Sequence, residues 1–324
     1  MALPRGIALI GAGSMGANHA RTISQSPRSA LALIVDVDAV RAKTLANQYD
    51  VPYTTNVQDV KDWDAAVIAT PTATHGTVLS PLLEEGLPIL VEKPLSDDLN
   101  IVEAAIALAQ SQGSVLCCGF VERFNPAFGA ILSMLDEPPL HIMSARHSPS
   151  RTKPMDSVVD DLLIHDLDLV TQIVVGHSVA EFGASFWPAE GAPIAEVCDC
   201  TLTFTNGSIA TLSASRLGHR KLRSFQVATA SRLFEADLLR ADVTIYQHIN
   251  QEQVLNGETI SYRAATVVDI PFVRHTGEPL SLQLNHFLDL IDGTADPASE
   301  ILQILPAHRL ASLISGPAKA GVTR

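Results

Sequence analysis

The sequence predicts an α/β protein with two domains: an N-terminal doubly wound parallel sheet and a C-terminal α+β domain with a largely antiparallel open sheet. Three observations lead to this prediction. The chain has 324 residues, 47% of them hydrophobic, and so exceeds the usual size of a single hydrophobic core. Its first third alternates short apolar runs with helical stretches. Its later part is dominated by strands whose apolar and polar residues alternate.

The N-terminal part carries five apolar runs that are rich in β-branched residues. In order, they are GIALI, LALIVD, DAAVIAT, LPILVE and SVLCCGF. Helical segments between them predict βαβ units and a parallel sheet. Because each run is continuous rather than alternating, we expect helices on both faces of that sheet. We place the first domain at residues 1–121 and the second at residues 122–324.

The pattern of apolar and polar residues changes after Phe120. An apolar helix is expected from about Ser157 to Val175. Strands follow, among them VCDCTLTFTNGSIATLSASR, in which Asn206-Gly207 is a strong hairpin signal. Two helices, LSLQLNHFLDLIDG and ASEILQILPAHRLASLIS, close the chain. An open sheet face with apolar alternation needs covering, so we expect a homodimer or a homotetramer.

The charge of the chain limits its partners. Twenty-two basic and 35 acidic residues give a net charge of −13, which disfavours nucleic acids and anionic membranes. No apolar stretch reaches the ~18 residues that span a bilayer, and the N-terminus shows no signal-peptide pattern. We therefore expect a soluble cytoplasmic protein. The four cysteines lack CxxC spacing, which predicts buried reduced thiols and no metal site.

A glycine-rich turn of the form G-x-G-x-x-G follows the first predicted strand. Gly11 permits the tight turn, Gly13 lets the backbone approach a pyrophosphate, and Gly16 allows a helix to pack closely on the strand. With a strand before it and a helix after it, the motif predicts a Rossmann dinucleotide site. Asp36 ends the second strand, where a carboxylate binds ribose hydroxyls and repels a 2′-phosphate. NAD is therefore favoured over NADP. A helix N-cap is the alternative role for Asp36.

Further cofactor contacts are expected where the other strands end, since ligands bind at the carboxyl edge of such sheets. The residues are Ser14 and Met15 after the first strand, Thr70 and Pro71 after the third, and Glu92 and Lys93 after the fourth. A simple turn is an equally good interpretation of Thr70-Pro71. His19 and His75 lie in nearby segments and are interpreted as capping or packing residues rather than catalysts.

Two groups of residues suggest the chemistry. Lys93 stands between Glu92 and a proline that ends the strand, so its ammonium is presented at the sheet edge, where it can polarise a hydroxyl or a carbonyl. A solvated surface lysine is the alternative. Helical periodicity places Asp161, His165 and Asp168 on one face of the apolar helix. A histidine there is suited to act as a general base; the alternative is a satisfied buried histidine beside surface acids.

The glycine turn GAGSMG, Asp36, the EKP triplet and the D-x-x-x-H-D run together resemble the glucose–fructose oxidoreductase / inositol dehydrogenase (Gfo/Idh/MocA) family over essentially the whole chain. The resemblance implies an NAD(P)-dependent dehydrogenase acting on a CH–OH group, with Lys93, Asp161 and His165 as its catalytic residues. It also implies association through the exposed face of the C-terminal sheet. The segments GSMGANHAR and FVERFNPAF are most similar to the branch of UDP-N-acetylglucosamine 3-dehydrogenases, which implies a nucleotide-sugar substrate.

Substrate contacts are expected from Arg123, Asn125, Arg146 and His165. Arg146, with Arg151 and Lys153, has the charge to meet a diphosphate. A salt bridge in the domain linker is the alternative for Arg123 and Asn125.

Three other functions stay open on the sequence. In the first, the substrate is a free cyclitol, such as inositol, or a free monosaccharide. The second is a redox-neutral enzyme that retains its cofactor through each turnover. The third is a non-enzymatic, NAD-sensing regulatory module, although such a module does not need an intact catalytic set.

Overall fold

A computed structural model describes residues 3–149, 156–187, 194–255 and 259–320. The chain forms two compact units. One comprises Met1–Phe124 and Gly277–Leu313, and the other comprises Asn125–Thr276 and Ile314–Arg324. The first break lies three residues from the expected boundary at residue 121. Because Gly277–Leu313 also belongs to the first unit, the two units are not the two contiguous stretches, 1–121 and 122–324, that were expected.

The elements of the described residues are as follows. The strands are β1 (Arg5–Ile10), β2 (Ser29–Val35), β3 (Tyr53–Thr54), β4 (Ala65–Ile68), β5 (Ile89–Val91), β6 (Leu116–Cys118), β7 (His141–Pro149), β8 (Val179–Trp187), β9 (Val197–Phe204), β10 (Ile209–Ser215), β11 (Leu217–Ala228), β12 (Arg232–Asp237), β13 (Asp242–Leu255) and β14 (Thr259–Asp269). The helices are α1 (Ser14–Gln25), α2 (Ala39–Tyr49), α3 (Thr72–Glu84), α4 (Leu99–Gln112), α5 (Pro126–Met134), α6 (Ile164–Ile173), α7 (Pro279–Ile291), α8 (Pro297–Leu302) and α9 (Leu305–Ala320).

The first unit contains a six-stranded parallel sheet in the order β3-β2-β1-β4-β5-β6. This is the strand order of a dinucleotide-binding Rossmann sheet. Strands β4 and β5 are buried along their whole length and β1 is buried from Ile7 onward, as the continuous apolar runs indicated. The order reverses between β1 and β4, and ligands bind at the carboxyl ends of the strands at such a point.

Helix α7 belongs to the core of the first unit, although it follows the second unit in the sequence. Leu284, Phe287 and Leu288 are fully or almost fully buried and pack in one cluster with β1 residues such as Leu9 and with Ile23 of α1. Arg28 adds ion pairs to two acidic side chains at the end of α7. Burial of this apolar helix face explains why residues 277–313 return to the first unit.

The second unit contains an eight-stranded sheet in the order β14-β13-β12-β11-β7-β10-β9-β8. Strands β7 and β10 pair in parallel, and the other neighbours pair antiparallel. Asn206-Gly207 forms the hairpin between β9 and β10, with Gly207 at a φ of +85°. The two sheets confirm the predicted fold class.

The expected helix at residues 157–175 has two parts. Val159–Leu163 is a π-helical segment, and α6 continues from it to Ile173. A wider turn shifts the faces on which later residues lie, so the periodicity of a regular helix does not apply across it. Asp161 is partly exposed, whereas Asp168 is 1% exposed. Because Asp161 lies within this π-helical segment, regular helical periodicity does not establish the predicted common face of Asp161, His165 and Asp168.

No helix in the described residues is long and apolar enough to cross a bilayer. All four cysteines are buried free thiols.

Candidate active site

The turn after β1 is shaped by close backbone contacts. Gly11 has a φ of +105°, and a Cβ there would lie 2.4 Å from the carbonyl oxygen of Ala69. A Cβ on Gly16 would lie 1.9 Å from the carbonyl oxygen of Gly11. Both positions therefore require glycine. By contrast, a Cβ on Gly13 would meet nothing within 4 Å, so Gly13 faces open space at the start of α1. Ser14 and Met15, also expected at the cofactor, are exposed in the first turn of that helix.

Asp36 follows β2 and is tied to this glycine turn. Its Oδ2 accepts a hydrogen bond from the backbone N–H of Ala12 at 2.8 Å. Its Oδ1 accepts from the N–H of Asp38 at 2.8 Å and from the Arg41 guanidinium at 3.1 Å. The N-cap of α2 is Asp38, which accepts from the N–H groups of Val40 and Arg41. The alternative role considered for Asp36, that of helix cap, is therefore filled by Asp38.

The ends of β1, β4 and β5 lie side by side at one edge of the first sheet. Thr70 and Pro71 follow β4, and Pro71 is the residue before the first turn of α3. Glu92 and Lys93 follow β5. Because parallel strands end at the same edge, the fold brings the glycine turn and Thr70 to the switch point of the sheet and Lys93 to the end of the next strand, β5.

Glu92 is buried beside Lys93. Its Oε1 lies 2.7 Å from Nε2 of His19 on α1, and its Oε2 accepts from the Lys93 backbone N–H at 3.2 Å. A Cβ at position 119 would lie 2.8 Å from Oε2, so Gly119 leaves room for the carboxylate. Glu92 therefore links the helix at the glycine turn to the backbone of Lys93.

Two more buried histidines contact the same turn. His75 on α3 places Nδ1 2.9 Å from the Pro94 carbonyl oxygen and Nε2 2.8 Å from that of Thr70. His308 on α9 accepts a hydrogen bond from the Leu95 N–H at 3.0 Å. Burial lowers the pKa of His308 to about 4, so its imidazole is neutral near pH 7.

In the second unit, Asp161 lies on the π-helical segment and His165 on α6, and both are partly exposed. Asp161 accepts hydrogen bonds from Nε and Nη2 of Arg216 at 3.2 and 3.0 Å. Arg216 also donates to the carbonyl oxygens of Asp156 and Ser157. Sequence reasoning missed Arg216, since a single arginine at the end of an alternating strand gives no sign of its partner.

Arg146 belongs to the second unit and is 1% exposed. Its Nε and Nη2 donate to the two carboxylate oxygens of Asp166 at 2.7 and 3.0 Å. A fully buried guanidinium in a bidentate ion pair is not available to a diphosphate, so this placement argues against the expected substrate role. Arg151 and Lys153, the other cations considered for that role, lie outside the described residues.

Arg123 and Asn125 also have structural partners. Within the first unit, Arg123 donates to Glu300 and to the Gln303 carbonyl oxygen, and its guanidinium lies over the ring of Phe120. Burial acts to raise the pKa of the Glu300 carboxyl, but the hydrogen bond from His286 and the charge of Arg123 hold that pKa below its usual range.

Asn125, in the second unit, is 4% exposed and caps α5 by accepting from the N–H of Ala127. Its amide nitrogen donates to the Leu238 carbonyl oxygen. For Arg123 and Asn125, these contacts favour the structural alternative over substrate binding.

Comparison with known proteins identifies the family. Residues 5–120 match an oxidoreductase family with an NAD-binding Rossmann fold, GFO_IDH_MocA. The UDP-N-acetylglucosamine 3-dehydrogenase of Acidithiobacillus ferrooxidans is 28% identical over 303 residues, which is 93% of this chain and 88% of that protein. Residues 5–120 therefore belong to the Gfo/Idh/MocA oxidoreductase family. The expectation of an NAD(P)-dependent dehydrogenase acting on a CH–OH group is thereby confirmed.

Solved structures agree with this assignment. A crystal form of the A. ferrooxidans enzyme superposes with a TM-score of 0.85 at 25% identity and covers 100% of both chains. Among other Gfo/Idh/MocA proteins, the inositol 2-dehydrogenase of Acidothermus cellulolyticus is 34% identical, over 51% of this chain and 52% of its own.

The buried ion pair gives a first test. Replacing Arg146 by methionine leaves the Asp166 carboxylate buried without its main cation, so Arg146→Met is expected to cost about 3–5 kcal/mol of unfolding free energy. The double variant Arg146→Met/Asp166→Leu is expected to regain most of that loss. Urea unfolding followed by circular dichroism measures both.

Arg240→Met is the matched control, because Arg240 and its partner Asp237 are exposed in the same unit. We expect a change of less than about 1 kcal/mol there. A stable Arg146→Met variant with weakened binding of UDP would instead favour the original substrate role.

His308 gives a pH-dependent test. Its pKa is about 4 in the folded protein and ~6.5 in the unfolded chain, so the unfolded chain binds the extra proton between these values. The unfolding free energy is therefore expected to fall as the pH drops from about 6.5 to about 4, by about 3 kcal/mol from this group. His308→Gln should show a shallower dependence when urea midpoints are measured across that range. An identical slope in both proteins would contradict the assignment.

Proposed function

We propose that this protein oxidises a secondary ring hydroxyl of a nucleotide sugar by hydride transfer to NAD. The observation that carries the proposal is the meeting of the glycine turn and Lys93 at one edge of the Rossmann sheet. A dinucleotide fingerprint and a lysine at the same edge of the sheet suit oxidation of a hydroxyl beside a nicotinamide.

The residues at this edge fit a dinucleotide. Gly13 presents backbone without a side chain at the N-terminus of α1, where N–H groups and the helix dipole favour a pyrophosphate. Asp36 stands at the end of β2 with a carboxylate for the ribose hydroxyls. Thr70, Pro71 and Glu92 complete the edge, although Glu92 acts through His19 and the Lys93 backbone. When bound, NAD supplies the hydride acceptor.

The chain's own residues then move one proton and stabilise one charge. His165 accepts the proton of the substrate hydroxyl as its carbon loses hydride, and a carbonyl forms. Lys93 donates a hydrogen bond to the same oxygen while negative charge develops on it. Asp161 orients the imidazole and stabilises its charged form, and Arg216 holds Asp161 through two hydrogen bonds. Arg216 is therefore a positioning residue for Asp161.

The share of the chain that is similar to each relative supports a nucleotide sugar rather than a cyclitol as the substrate. Sequence similarity to the UDP-N-acetylglucosamine 3-dehydrogenase extends over 93% of this chain, whereas sequence similarity to inositol 2-dehydrogenases covers about half of it. Substrate specificity is expected in the second unit, because residues 5–120 of the first unit match the dinucleotide-binding fold of the family model.

A homodimer or homotetramer in the cytoplasm completes the proposal. Val267, Val268, Ile270 and Phe272 are exposed in and just after β14, which supports association through this part of the sheet. Four buried free cysteines are in keeping with a reducing compartment.

Replacement of Lys93 tests the chemistry. Lys93→Ala is expected to lower kcat about 10²- to 10⁴-fold, because the developing oxyanion loses its donor, with NAD affinity changed little. His165→Ala should cause a similar loss. Turnover is followed at 340 nm with UDP-N-acetylglucosamine, free sugars and myo-inositol, and NAD affinity by calorimetry. Lys61→Ala, which removes an exposed lysine of the same unit, serves as the control.

Each outcome has a distinct meaning. Full turnover by Lys93→Ala would remove Lys93 from the mechanism. Turnover of myo-inositol but of no UDP-sugar would change the substrate to a cyclitol. NAD that co-purifies with an inactive protein would favour a redox-neutral or NAD-sensing role.

Replacement of Asp36 tests the cofactor preference. Asp36→Ser removes the carboxylate that binds ribose and repels a 2′-phosphate, and it releases Arg41, now 3.1 Å away, to meet that phosphate. The ratio of kcat/KM for NAD to that for NADP is expected to fall by about 10- to 100-fold. Asp38→Ser keeps a capping hydroxyl on α2 and removes the 3.4 Å ion pair between Asp38 and Arg41; because the Asp36 carboxylate stays in place, it should leave this ratio unchanged. A shift with Asp38→Ser alone would assign ribose recognition to Asp38.

A further inference from the structure

We infer that three buried histidines from three helices, His19, His75 and His308, fix the backbone of residues 92–95 and thereby orient the side chain of Lys93. The inference rests on the catalytic role proposed for Lys93. All three histidines and the turn lie in the first unit, and each histidine is at most 3% exposed.

The turn needs such partners because of its own sequence. Strand β5 ends at Val91, and Pro94 has no N–H to donate. The Glu92 N–H still donates to the Ile68 carbonyl oxygen of β4 at 2.9 Å, but the buried Pro94 and Leu95 lie beyond the strand, so their backbone groups require hydrogen bonds from outside a regular ladder. A lysine side chain has four rotatable carbon–carbon bonds, so precise placement of its ammonium begins with a fixed backbone.

His308 supplies the clearest contact. Its Nδ1 lies 2.7 Å from the Ile304 carbonyl oxygen, which can only accept, so Nδ1 carries the proton. Its Nε2 then accepts from the Leu95 N–H at 3.0 Å. The ring packs edge-on against Phe120, with centroids 5.6 Å apart. The neutral imidazole is thus held from both ends in one tautomer, and it fixes the amide two residues after Lys93.

His75 holds the next group along the chain. It places one ring nitrogen 2.9 Å from the Pro94 carbonyl oxygen and the other 2.8 Å from the Thr70 carbonyl oxygen. Thr70 follows β4 and Pro94 follows β5. The imidazole therefore lies between the two turns at the ends of neighbouring strands, and since both carbonyl oxygens can only accept, a neutral ring donates to one of them at a time.

His19 reaches the turn through Glu92. The pair of His19 Nε2 and Glu92 Oε1 is 2.7 Å long, and the second carboxylate oxygen accepts from the Lys93 N–H. His19 lies on α1, whose first turn follows Gly13. This contact connects the Lys93 backbone to the helix that is expected at the pyrophosphate, and it assigns to Glu92 a positioning role.

His308 gives the sharpest experiment because its replacement leaves the glycine turn and Lys93 intact. His308→Leu removes the acceptor, while His308→Gln keeps an oxygen able to accept from Leu95. With NAD and UDP-N-acetylglucosamine, His308→Leu is expected to lower kcat about 10- to 100-fold per NAD-binding site, with KM for NAD little changed. His308→Gln should recover most of kcat.

His286→Leu is the matched control. His286 lies on α7 in the same unit and contacts Glu300 rather than residues 92–95. The variant His286→Leu should lower the melting temperature and leave kcat per NAD-binding site unchanged. If His308 only stabilises the fold, His308→Leu should also lower the melting temperature and leave kcat per NAD-binding site unchanged. That result would overturn the inference. Equal losses in His308→Leu and His308→Gln would also overturn it.

Hydrogen exchange separates this inference from the proposed function. The amides of residues 92–98, measured by mass spectrometry, should exchange faster in His308→Leu than in the parent or His308→Gln, with no substrate needed. Unchanged exchange would overturn the inference whatever the turnover. In the double variant His308→Leu/Lys93→Ala, kcat should fall no further than in Lys93→Ala alone; additive losses would show that His308 does not act through Lys93. Faster exchange with full turnover in Lys93→Ala would instead reject the proposed role of Lys93.

Discussion

The close packing of α1 on the end of β1 is the constraint on which the carboxyl edge of the first sheet depends. Gly16 allows the helix to approach the Gly11 carbonyl oxygen, where any Cβ would overlap it. The Ala12 amide can then reach the carboxylate of Asp36. From the same helix, His19 reaches Glu92 beside Lys93. One backbone contact thus sets the positions of groups after β1, β2 and β5, because all of them bind either the glycine turn or its helix.

Buried arginines stabilise both units and are easily mistaken for ligand-binding residues. Arg146 in the second unit and Arg123 in the first were expected at the substrate, yet each has a carboxylate partner within its own unit. A lone buried charge costs several kcal/mol, so a fold that buries arginine must also bury its partner. Asp166 and Glu300 are those partners. In sequence they lie 20 and 177 residues from the arginines, and neither distance is a recognisable spacing.

Most of the first unit could be predicted from its sequence, because continuous apolar runs, a glycine turn and an acid after the second strand are local signals. The hairpin at Asn206-Gly207 was predictable for the same reason, since the turn type selects the residues. Two features were not predictable. The π-helical segment at Val159–Leu163 carries no local signal that separates it from a regular helix, so Asp161 and Asp168 were grouped by the periodicity of a regular helix. The position of α7 depends on contacts between residues more than 200 positions apart, which no local pattern encodes.

The local sequence around His19, His75 and His308 does not reveal that these histidines share one contact. His19 and His75 were interpreted as packing residues, and their burial agrees with that interpretation. What sequence did not indicate is that both, with His308, contact the single turn 92–95. Imidazole suits this position because it combines a flat apolar body with two directional nitrogens, so it can fill a buried gap and still satisfy backbone groups. A turn that contains proline, a buried acid and a lysine has few internal hydrogen bonds, and its order must therefore come from neighbouring helices.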